Sequence, residues 1–442
     1  MSPSLLLTRR QQYGAFHEAL DSLYSADRLT LAQDNMPDTA NLQGLFDALA
    51  DMIYKDGRFT VSQLRSKEAR RVIAETANVL AEGVNTQLPT DVSDTLRYAL
   101  EENTFTFSGF KTFHAMREIG LSLVAEDGNI KPFSQFKEDV KAVNDSYNVN
   151  YLRAEYQQAV GASQMAAKWV DIERDGDRYD LQYRTAQDNR VREDHALLHG
   201  TTLPPSDPFW DKYYPPNGWG CRCTVVQVRH GKYPLSDPEL AMKRGDNSTA
   251  GVKQQMFRFN PGKQMKLFPP KHPYYPKNCD GCDKNGLRLA YNPQSEKCRA
   301  CQAVAHQTLC SIKNDAVRRM KEAAIPAYKS KDSRFVYGRM YCGNKDRKNV
   351  IQHVEAGYMI PSVINIDNIL DRVSNGQTEE LVEAHMNDAK KQRHVIKYTK
   401  YIFSHDVIIN GQKQTKMLQL KCEVIQNGHR LQERPYSIKE LR

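Results

Sequence analysis

Apolar residues recur at three- and four-residue intervals through the first third of the chain, which is the spacing of amphipathic helices. The apolar positions of segment 41–54 share one helical face: Leu42, Leu45, Phe46, Leu49 and Ile53. Segments 66–81 and 91–102 have similar spacing. The aromatic-rich segment 104–116 is interpreted as a helical core face, with a partner-docking surface as the less favoured alternative. This pattern predicts a mainly helical region over residues 1–150.

The pattern becomes mixed after this region. Residues 151–168 predict a long helix, whereas Trp169 and residues 179–183 have strand character. A short helix at 194–198 and a strand at 224–228 follow, on either side of a Pro-rich loop. This succession predicts a small α+β core.

Two further segments differ from this core. Residues 231–276 contain repeated Pro and Gly with little periodicity, which predicts an extended linker or arm. In the tail, Thr378 can cap a helix that runs to about Arg393. Strand-like runs then flank Asn410-Gly411 and Asn427-Gly428, and Asn-Gly between such runs is the strongest local signal of a β-hairpin.

Charge separates the tail from the rest of the chain. Residues 311–442 contain 24 Lys and Arg against 15 Asp and Glu, so the whole net charge of +9 lies there. A basic module on a neutral body indicates a polyanion partner, and a solvated basic surface without a partner is an equally weighted alternative.

The sequence predicts no membrane segment. No run of about 18 apolar residues occurs, and the apolar run near the start is too short for a signal peptide. We therefore expect a cytoplasmic product whose nine cysteines are reduced thiols or metal ligands.

Four cysteines have the spacing of a zinc site. Cys279, Cys282, Cys298 and Cys301 form a C-x2-C-x15-C-x2-C pattern, in which two turns each direct a pair of thiolates at one tetrahedral ion. The segment is too short to build a hydrophobic core of its own, so the metal ion would stabilise its fold instead. A structural zinc is predicted, and free thiols or a redox pair are the alternatives.

Residues 153–228 combine several motifs in a fixed order. An Arg-Ala-Glu element on a helix precedes an aromatic residue, an Asp-x-Arg-x4-His-x4-Gly pattern, and Pro-Pro before Cys-Arg-Cys and a strand. The matching positions are Arg153, Glu155, Trp169, Asp188, Arg190, His195, Gly200, Pro215, Pro216, Cys221, Arg222 and Cys223. This order and spacing resemble the phage Mu F-like head morphogenesis family, the minor capsid proteins of tailed phages. The resemblance implies phage portal and capsid proteins as partners.

Three interpretations of the polar residues in this unit remain open. Asp188, Arg190, His195 and Arg222 can form a buried polar lock with reduced Cys221 and Cys223 beside it, and this is the favoured interpretation. Two thiolates with His195, and with His199 as a possible addition, would instead make a zinc set. Cys-His catalysis is the least favoured, because no oxyanion donor is evident.

The tail contains the element YMIPSVINIDNILDRV (Tyr358 to Val373), followed by HVIKYTKYIF and the final hairpins. These elements resemble the barnase–EndoU–colicin–RelE-like nuclease domains found at the C-termini of some phage head proteins. Such metal-independent ribonucleases need an acid, a base and cations for the phosphate. Candidate catalytic residues are His394 (the preferred acid or base), His385, Arg393, Lys397, Tyr398 and Tyr401. A solvated, basic helix end is the simpler explanation for residues 388–394. The tail can equally bind packaged DNA passively, through charge and stacking.

The expected architecture is multidomain α+β. Its expected parts are a helical region (1–150), a head-morphogenesis core (151–230), a linker (231–276), a zinc-ribbon-like module (277–310) and a nuclease-like α+β domain with antiparallel hairpins (311–442). The resemblances imply a minor head protein that acts in capsid assembly and DNA packaging near the portal, located inside the head of the virion and in the host cytoplasm during assembly. The alternative is a phage-delivered toxin whose ribonuclease is matched by an immunity protein.

Overall fold

The protein is described by a computed structural model of 442 residues. The described residues are 3–24, 37, 39–251, 253–276, 296–322, 328–329, 335–337, 349–374, 379–383 and 395–441. The chain divides into two compact units. Unit 1 comprises Met1–Val92, Asn103–Asp283 and Arg288–Thr308, and unit 2 comprises Ser93–Glu102, Lys284–Leu287 and Leu309–Arg442.

The N-terminal region is helical. Its helices are α1 (Pro3–Leu23), α2 (Ala40–Asp56), α3 (Lys67–Asn85), α4 (Asp94–Ser122), α5 (Phe133–Asn144) and α6 (Leu152–Asp175), with a π-helical turn, Asp145–Tyr151, between the last two. Local signals fix the helix ends: the Ser66 hydroxyl caps α3 by accepting a hydrogen bond from the Ala69 amide, and Gly57 ends α2 at a positive φ of 67°. The aromatic segment of α4 is a core face, because Phe107, Phe110 and Phe113 are all buried.

A small three-stranded sheet follows α6. Its elements in chain order are β1 (Tyr179–Arg184), α7 (Glu193–Ala196), β2 (Thr202–Leu203), α8 (Phe209–Tyr213) and β3 (Thr224–Arg229). The strands are antiparallel in the order β2–β1–β3. The expectation of strand character at Trp169 is wrong: this residue lies in α6, where it shares a buried face with Met165 and Ile172 and packs edge-on against Tyr214. Helical spacing of the apolar residues prevails over the β-propensity of one aromatic residue.

Residues 231–276 differ from the extended arm that the Pro and Gly content predicts. They contain α9 (Pro238–Ser248), a 3-10 turn (Gln255–Phe257) and α10 (Pro261–Gln264). The segment packs into unit 1: Phe268 stacks on Phe107 with ring centroids 3.8 Å apart, and the Gln158 amide donates to the Leu267 carbonyl at 3.0 Å. Buried aromatic residues therefore hold this segment in the fold, although its sequence has little helical or strand periodicity.

Unit 2 is α+β. It includes the C-terminal part of α11 (Glu296–Glu322), and then β4 (Tyr328–Lys329), β5 (Val336–Tyr337), α12 (Asn349–Gln352), α13 (Ile360–Ile364), α14 (Ile366–Ser374), β6 (Glu379–Glu383), β7 (Val395–Ile409), β8 (Gln412–Asn427) and β9 (Arg430–Glu440). The last four strands form one antiparallel sheet in sequence order. Both Asn-Gly hairpins are confirmed, and Asn410 and Gly411 have the positive φ angles (51° and 75°) that a type I′ turn requires.

Two sequence predictions, a helix from Thr378 and the absence of a membrane segment, can be compared with the structure. The helix expected to begin at Thr378 is wrong at its start, because Glu379–Glu383 is a strand paired with β7, which satisfies the backbone of both. Within the described residues, no helix is long and apolar enough to cross a membrane. The mixed helical and antiparallel architecture agrees with a multidomain α+β fold.

Candidate metal centre

The loop of sequence PPNGWGCRC closes over the end of the small sheet. Residue pairs run along β1 and β3 up to Arg184 opposite Thr224, so Cys223 lies directly before the first residue of β3. The Tyr183 hydroxyl donates to the Asn217 side chain at 2.8 Å, inside the protein, and this bond ties the loop to β1. The loop then turns through Gly220, whose φ is +63°.

This closure brings one histidine and two cysteines together. His195 on α7 is buried, with 2% of its surface exposed. Its Nδ1 atom lies 3.6 Å from Sγ of Cys221 and 3.7 Å from Sγ of Cys223. The ligand atoms of the three residues all lie within 4.8 Å of one another. We call this set the His-Cys-Cys cluster.

Hydrogen bonding alone leaves the cluster incompletely satisfied. A neutral imidazole nitrogen offers one lone pair or one N–H, yet two sulfur atoms approach Nδ1 at nearly equal distances. The other ring nitrogen, Nε2 of His195, is buried and has no hydrogen-bond partner among the described residues. Contacts at Nδ1 therefore determine how this ring is oriented.

The charges of the cluster are coupled. The hydrogen bond from Cys223 holds the pKa of Cys221 well below its usual range despite burial, and His195 adds to this effect. The same hydrogen bond, together with burial, raises the pKa of Cys223. Burial acts to lower the pKa of His195, but the Cys221 thiolate outweighs it, so the net shift is upward. The pKa values of the two thiols are therefore displaced in opposite directions.

Arginines surround the cluster on its solvent side. A pocket of about 20 Å³ is lined by the three cluster residues and by Arg190, Val191, Arg192, Gly220 and Arg222. The Arg192 guanidinium donates a hydrogen bond to the Trp219 carbonyl. The absence of a side chain at Gly218 leaves room for this guanidinium, because a Cβ on residue 218 would lie 3.1 Å from Arg192 Nη1. A cavity of this size holds about one water molecule.

The structure divides the predicted polar lock into two parts. Arg222 donates two hydrogen bonds to Asp188, at 2.5 and 2.7 Å, and Arg190 lies 3.8 Å from the same carboxylate. This group is partly exposed, since 37% of the Asp188 side chain is accessible. The hydrogen bonds from Arg222 lower the pKa of Asp188 to about 2. The expected buried lock is therefore an exposed ion pair, and of its four residues only His195 is buried, beside two half-buried cysteines.

Glu155 of the Arg-Ala-Glu element belongs to a second buried group, formed with Lys111, Tyr24 and His272. The Lys111 ammonium pairs with Glu155, and the Tyr24 hydroxyl donates to the same carboxylate at 2.9 Å. His272 accepts from the Tyr274 amide at Nδ1, which leaves Nε2–H to donate to the Tyr24 oxygen at 2.9 Å. Burial lowers the pKa of His272 well below its usual value, so the ring is neutral as this relay requires. We call these four side chains the Lys111–Glu155 network, which sequence reasoning missed because Lys111 and His272 lie far from the motif.

Other predicted site residues are not joined to the cluster. His199 Nδ1 accepts a hydrogen bond from the Thr185 amide at 3.1 Å, and the Thr185 hydroxyl lies 2.9 Å from the same nitrogen. Cys301 is buried in α11, which also contains the backbone of Cys298. Cys279 and Cys282 lie outside the described residues, so the four-cysteine zinc site stays a prediction.

The predicted nuclease residues fall partly outside the described chain. His385, Arg393 and His394 lie outside it. Lys397 and Tyr398 lie at the start of β7, and Tyr398 is buried opposite Glu423 of β8. The Lys421 ammonium lies 4.0 Å from the centre of the Tyr398 ring, and Tyr436 lies 5.8 Å from it.

Further polar residues that sequence reasoning did not select adjoin Tyr398. His353 packs on Tyr436 with ring centroids 4.6 Å apart. The Arg434 guanidinium donates to Glu423 at 2.5 Å. We call this set the β7–β9 polar cluster: His353, Tyr398, Lys421, Glu423, Arg434 and Tyr436. Strand alternation would have placed Lys421 and Glu423 on one face of β8, but nothing in the sequence joined His353 to them.

One region of the chain matches a known family of proteins. This region includes α6 and most of the small antiparallel sheet, with its Cys-Arg-Cys loop. Residues 129–226 match the family described as "Phage Mu protein F like protein". The chain is 29% identical over 181 residues (38% of this chain) to the Mu-like prophage FluMu F protein of Haemophilus influenzae, and it covers 41% of that protein. It is 36% identical over 83 residues (18% of this chain) to the putative capsid assembly protein F of Escherichia phage Mu, and it covers 16% of it.

A shorter similarity, 45% identity over 47 residues (11% of this chain and 7% of the other), links the chain to an uncharacterized protein of Methanocaldococcus jannaschii. No solved structure matches. The chain thus spans about two-fifths and about a sixth of the two phage-type relatives. The resemblance that the sequence motifs indicate is confirmed for residues 129–226, which match the Mu F-like family.

Proposed function

We propose that the protein is a minor head protein of a tailed phage or prophage that acts in capsid assembly. The observation that carries this proposal is the match of residues 129–226 to the Mu F-like family. The name of the relative from phage Mu, a putative capsid assembly protein, supports the same role. Because the chain covers a minor part of these relatives, the role of the whole protein is inferred. We extend the proposal to DNA packaging, a position at the portal and a place inside the virion, which the family resemblance implies.

The experiment is deletion of the gene from its phage or prophage, followed by electron microscopy of the heads and measurement of nuclease-protected DNA. We expect malformed or empty heads, rescued by the wild-type gene, and the protein itself in purified particles. Crosslinking in procapsids should join it to the portal protein. Normal yields of full heads without the protein, together with its absence from wild-type particles, would refute a role in the head.

The basic tail is proposed to contact nucleic acid inside the head or in the host. All of the excess positive charge lies in residues 311–442. Phosphate contacts by Lys and Arg release counterions, so the affinity of the full chain for DNA should fall steeply with salt. Affinity that does not change between low and high salt would contradict this proposal.

A second candidate function, a metal-independent ribonuclease toxin, is favoured by the β7–β9 polar cluster. It combines a histidine, a carboxylate, two tyrosines and two cations on one region of an antiparallel sheet. These are the groups that general acid–base cleavage of RNA needs. In this proposal His353 joins His394, Lys397 and Tyr398 as a candidate, and a neighbouring gene would encode the immunity protein.

The toxin candidate is tested with the full chain. Expression in bacteria should slow growth, and the purified protein should cleave RNA in the presence of a chelator. His353→Ala should abolish both effects, whereas His429→Ala, the same change at another exposed histidine, should keep them. Absence of both toxicity and cleavage in the wild-type protein would reject this function and leave the role in the head intact.

We also propose that Cys279, Cys282, Cys298 and Cys301 hold a structural zinc ion. The matched C-x2-C pairs support it. Cys279→Ser with Cys298→Ser should remove about one zinc ion per chain, and unchanged metal content would contradict it.

A further inference from the structure

The two sulfur–nitrogen distances of the His-Cys-Cys cluster match those across a bound zinc ion. Bond lengths of about 2.3 Å for zinc–sulfur and 2.0–2.1 Å for zinc–nitrogen, at a tetrahedral angle, separate a sulfur ligand from a nitrogen ligand by about 3.6 Å. The two Sγ–Nδ1 distances in the cluster are 3.6 and 3.7 Å. Both pairs therefore match a shared tetrahedral centre, whereas a hydrogen bond would require only one of them.

The chemistry of the donors points to the same ion. Two thiolates and one imidazole suit zinc better than calcium or magnesium, which prefer oxygen ligands. Two thiolates would neutralise the charge of a divalent cation, and this removes the main cost of placing it among Arg190, Arg192 and Arg222. The adjoining pocket of about 20 Å³ has room for one water molecule as a fourth ligand.

The fold prepares these ligands in advance. His195 comes from α7, whereas both cysteines come from the loop that enters β3. The Tyr183–Asn217 hydrogen bond holds this loop on the sheet, and the Arg192–Trp219 bond holds it on the α7 side. An ion bound here would join α7 directly to the start of β3, from which it is separated along the chain by β2, α8 and the Pro-rich loop.

We infer that His195, Cys221 and Cys223 bind one zinc ion, with water as the fourth ligand, and that this ion clamps the closing loop of the Mu F-like segment onto α7. The site is separate from the predicted four-cysteine site, because it shares no residue with it. It also makes no use of the proposed role in the head, so either can fail alone.

The test measures metal in the purified full chain with Cys279→Ser and Cys298→Ser, which removes the other candidate site. We expect about one zinc ion per chain, lost on further change of Cys221→Ser with Cys223→Ser. Cys310→Ser, a change at an exposed cysteine, is the matched control and should keep the ion. Absence of zinc, with both thiols open to labelling or joined in a disulfide, would overturn the inference.

A second variant guards against misfolding. In the same Cys279→Ser, Cys298→Ser background, the His-Cys-Cys cluster with cobalt in place of zinc should show thiolate-to-cobalt charge-transfer absorption together with the visible bands of tetrahedral cobalt. His195→Cys keeps a ligand at the same place and should raise the charge-transfer absorption by about half, because three thiolates replace two. An unchanged cobalt spectrum in this variant would show that position 195 does not bind the metal and would overturn the inference.

Discussion

Two polar groups of unit 1, one fully buried and one with a buried histidine and two half-buried cysteines, differ in how completely their hydrogen bonds are satisfied. In the Lys111–Glu155 network, a cation, a carboxylate, a phenol and a neutral imidazole form one continuous relay. In the His-Cys-Cys cluster, two sulfur atoms converge on one nitrogen, and the other nitrogen has no partner in the described part of the chain. Buried polar groups are costly unless paired, so the first group is complete as a structural element. In the second group, the convergence of two sulfur atoms on Nδ1 is the feature that a shared metal ion would explain.

The largest loss of stability is expected when the Lys111–Glu155 network is broken. Lys111→Met removes the cation and leaves Glu155 charged in a buried site, which should cost about 3–5 kcal/mol of unfolding free energy. The double change Lys111→Met with Glu155→Gln removes the unpaired charge and should recover part of this loss. All three tryptophans lie in unit 1, so their fluorescence in urea reports its unfolding. A loss in the single variant below about 1 kcal/mol would mean that the pair is not buried.

Removal of metal tests whether the His-Cys-Cys cluster is stabilised by a bound zinc ion. In the Cys279→Ser, Cys298→Ser background, free zinc at 100 times its dissociation constant should stabilise unit 1 by about 2.7 kcal/mol relative to chelator. The same titration with Cys221→Ser and Cys223→Ser should show no difference between zinc and chelator. The readout is the urea midpoint by tryptophan fluorescence. Equal stabilisation in the cysteine variant would place the effect of zinc elsewhere.

A third prediction concerns the packing of residues 231–276 on α6. A Cβ on Gly262 would lie 2.1 Å from Cβ of Trp169, which cannot move without the helix backbone, so Gly262→Ala should cost about 1–3 kcal/mol. Gly161→Ala in α6 is the matched control, because the nearest atom is 3.6 Å away and a helix favours Ala over Gly. The control should be neutral or slightly stabilising in urea. Equal midpoints for the two variants would contradict the close packing of this segment.

The smallest effect is expected at the exposed ion pair. Asp188→Asn removes the partner of Arg222, and since both side chains are partly exposed, the urea midpoint of unit 1 should shift only slightly. Zinc content should not change, because Asp188 is not a ligand in this account. Loss of the metal together with a large destabilisation would show instead that Asp188 supports the cluster, as the predicted lock required.

Local patterns predicted much of this fold. Helical spacing gave α2, α3 and α6, and the Asn-Gly pairs gave both hairpins of the C-terminal sheet. Trp169 and residues 379–383 were misjudged, because single-residue propensity and a cap signal are weaker than the packing and strand pairing that decide these positions.

The candidate site was only partly predictable. Motif order brought His195, Cys221 and Cys223 to attention, but spacing could not show that the cysteines meet the histidine while Asp188 and Arg222 face solvent. That division depends on how the loop closes over β1. The partners of Glu155 could not be predicted from the sequence for the same reason, since Tyr24 and His272 lie more than 100 residues away in the chain.

The most direct measurement of the central claim is X-ray absorption at the zinc edge, on the full chain with Cys279→Ser and Cys298→Ser. The account predicts two sulfur neighbours at about 2.3 Å and two nitrogen or oxygen neighbours at about 2.0–2.1 Å, one of them with the scattering pattern of imidazole. A shell of nitrogen and oxygen alone, or a protein without zinc, would contradict it.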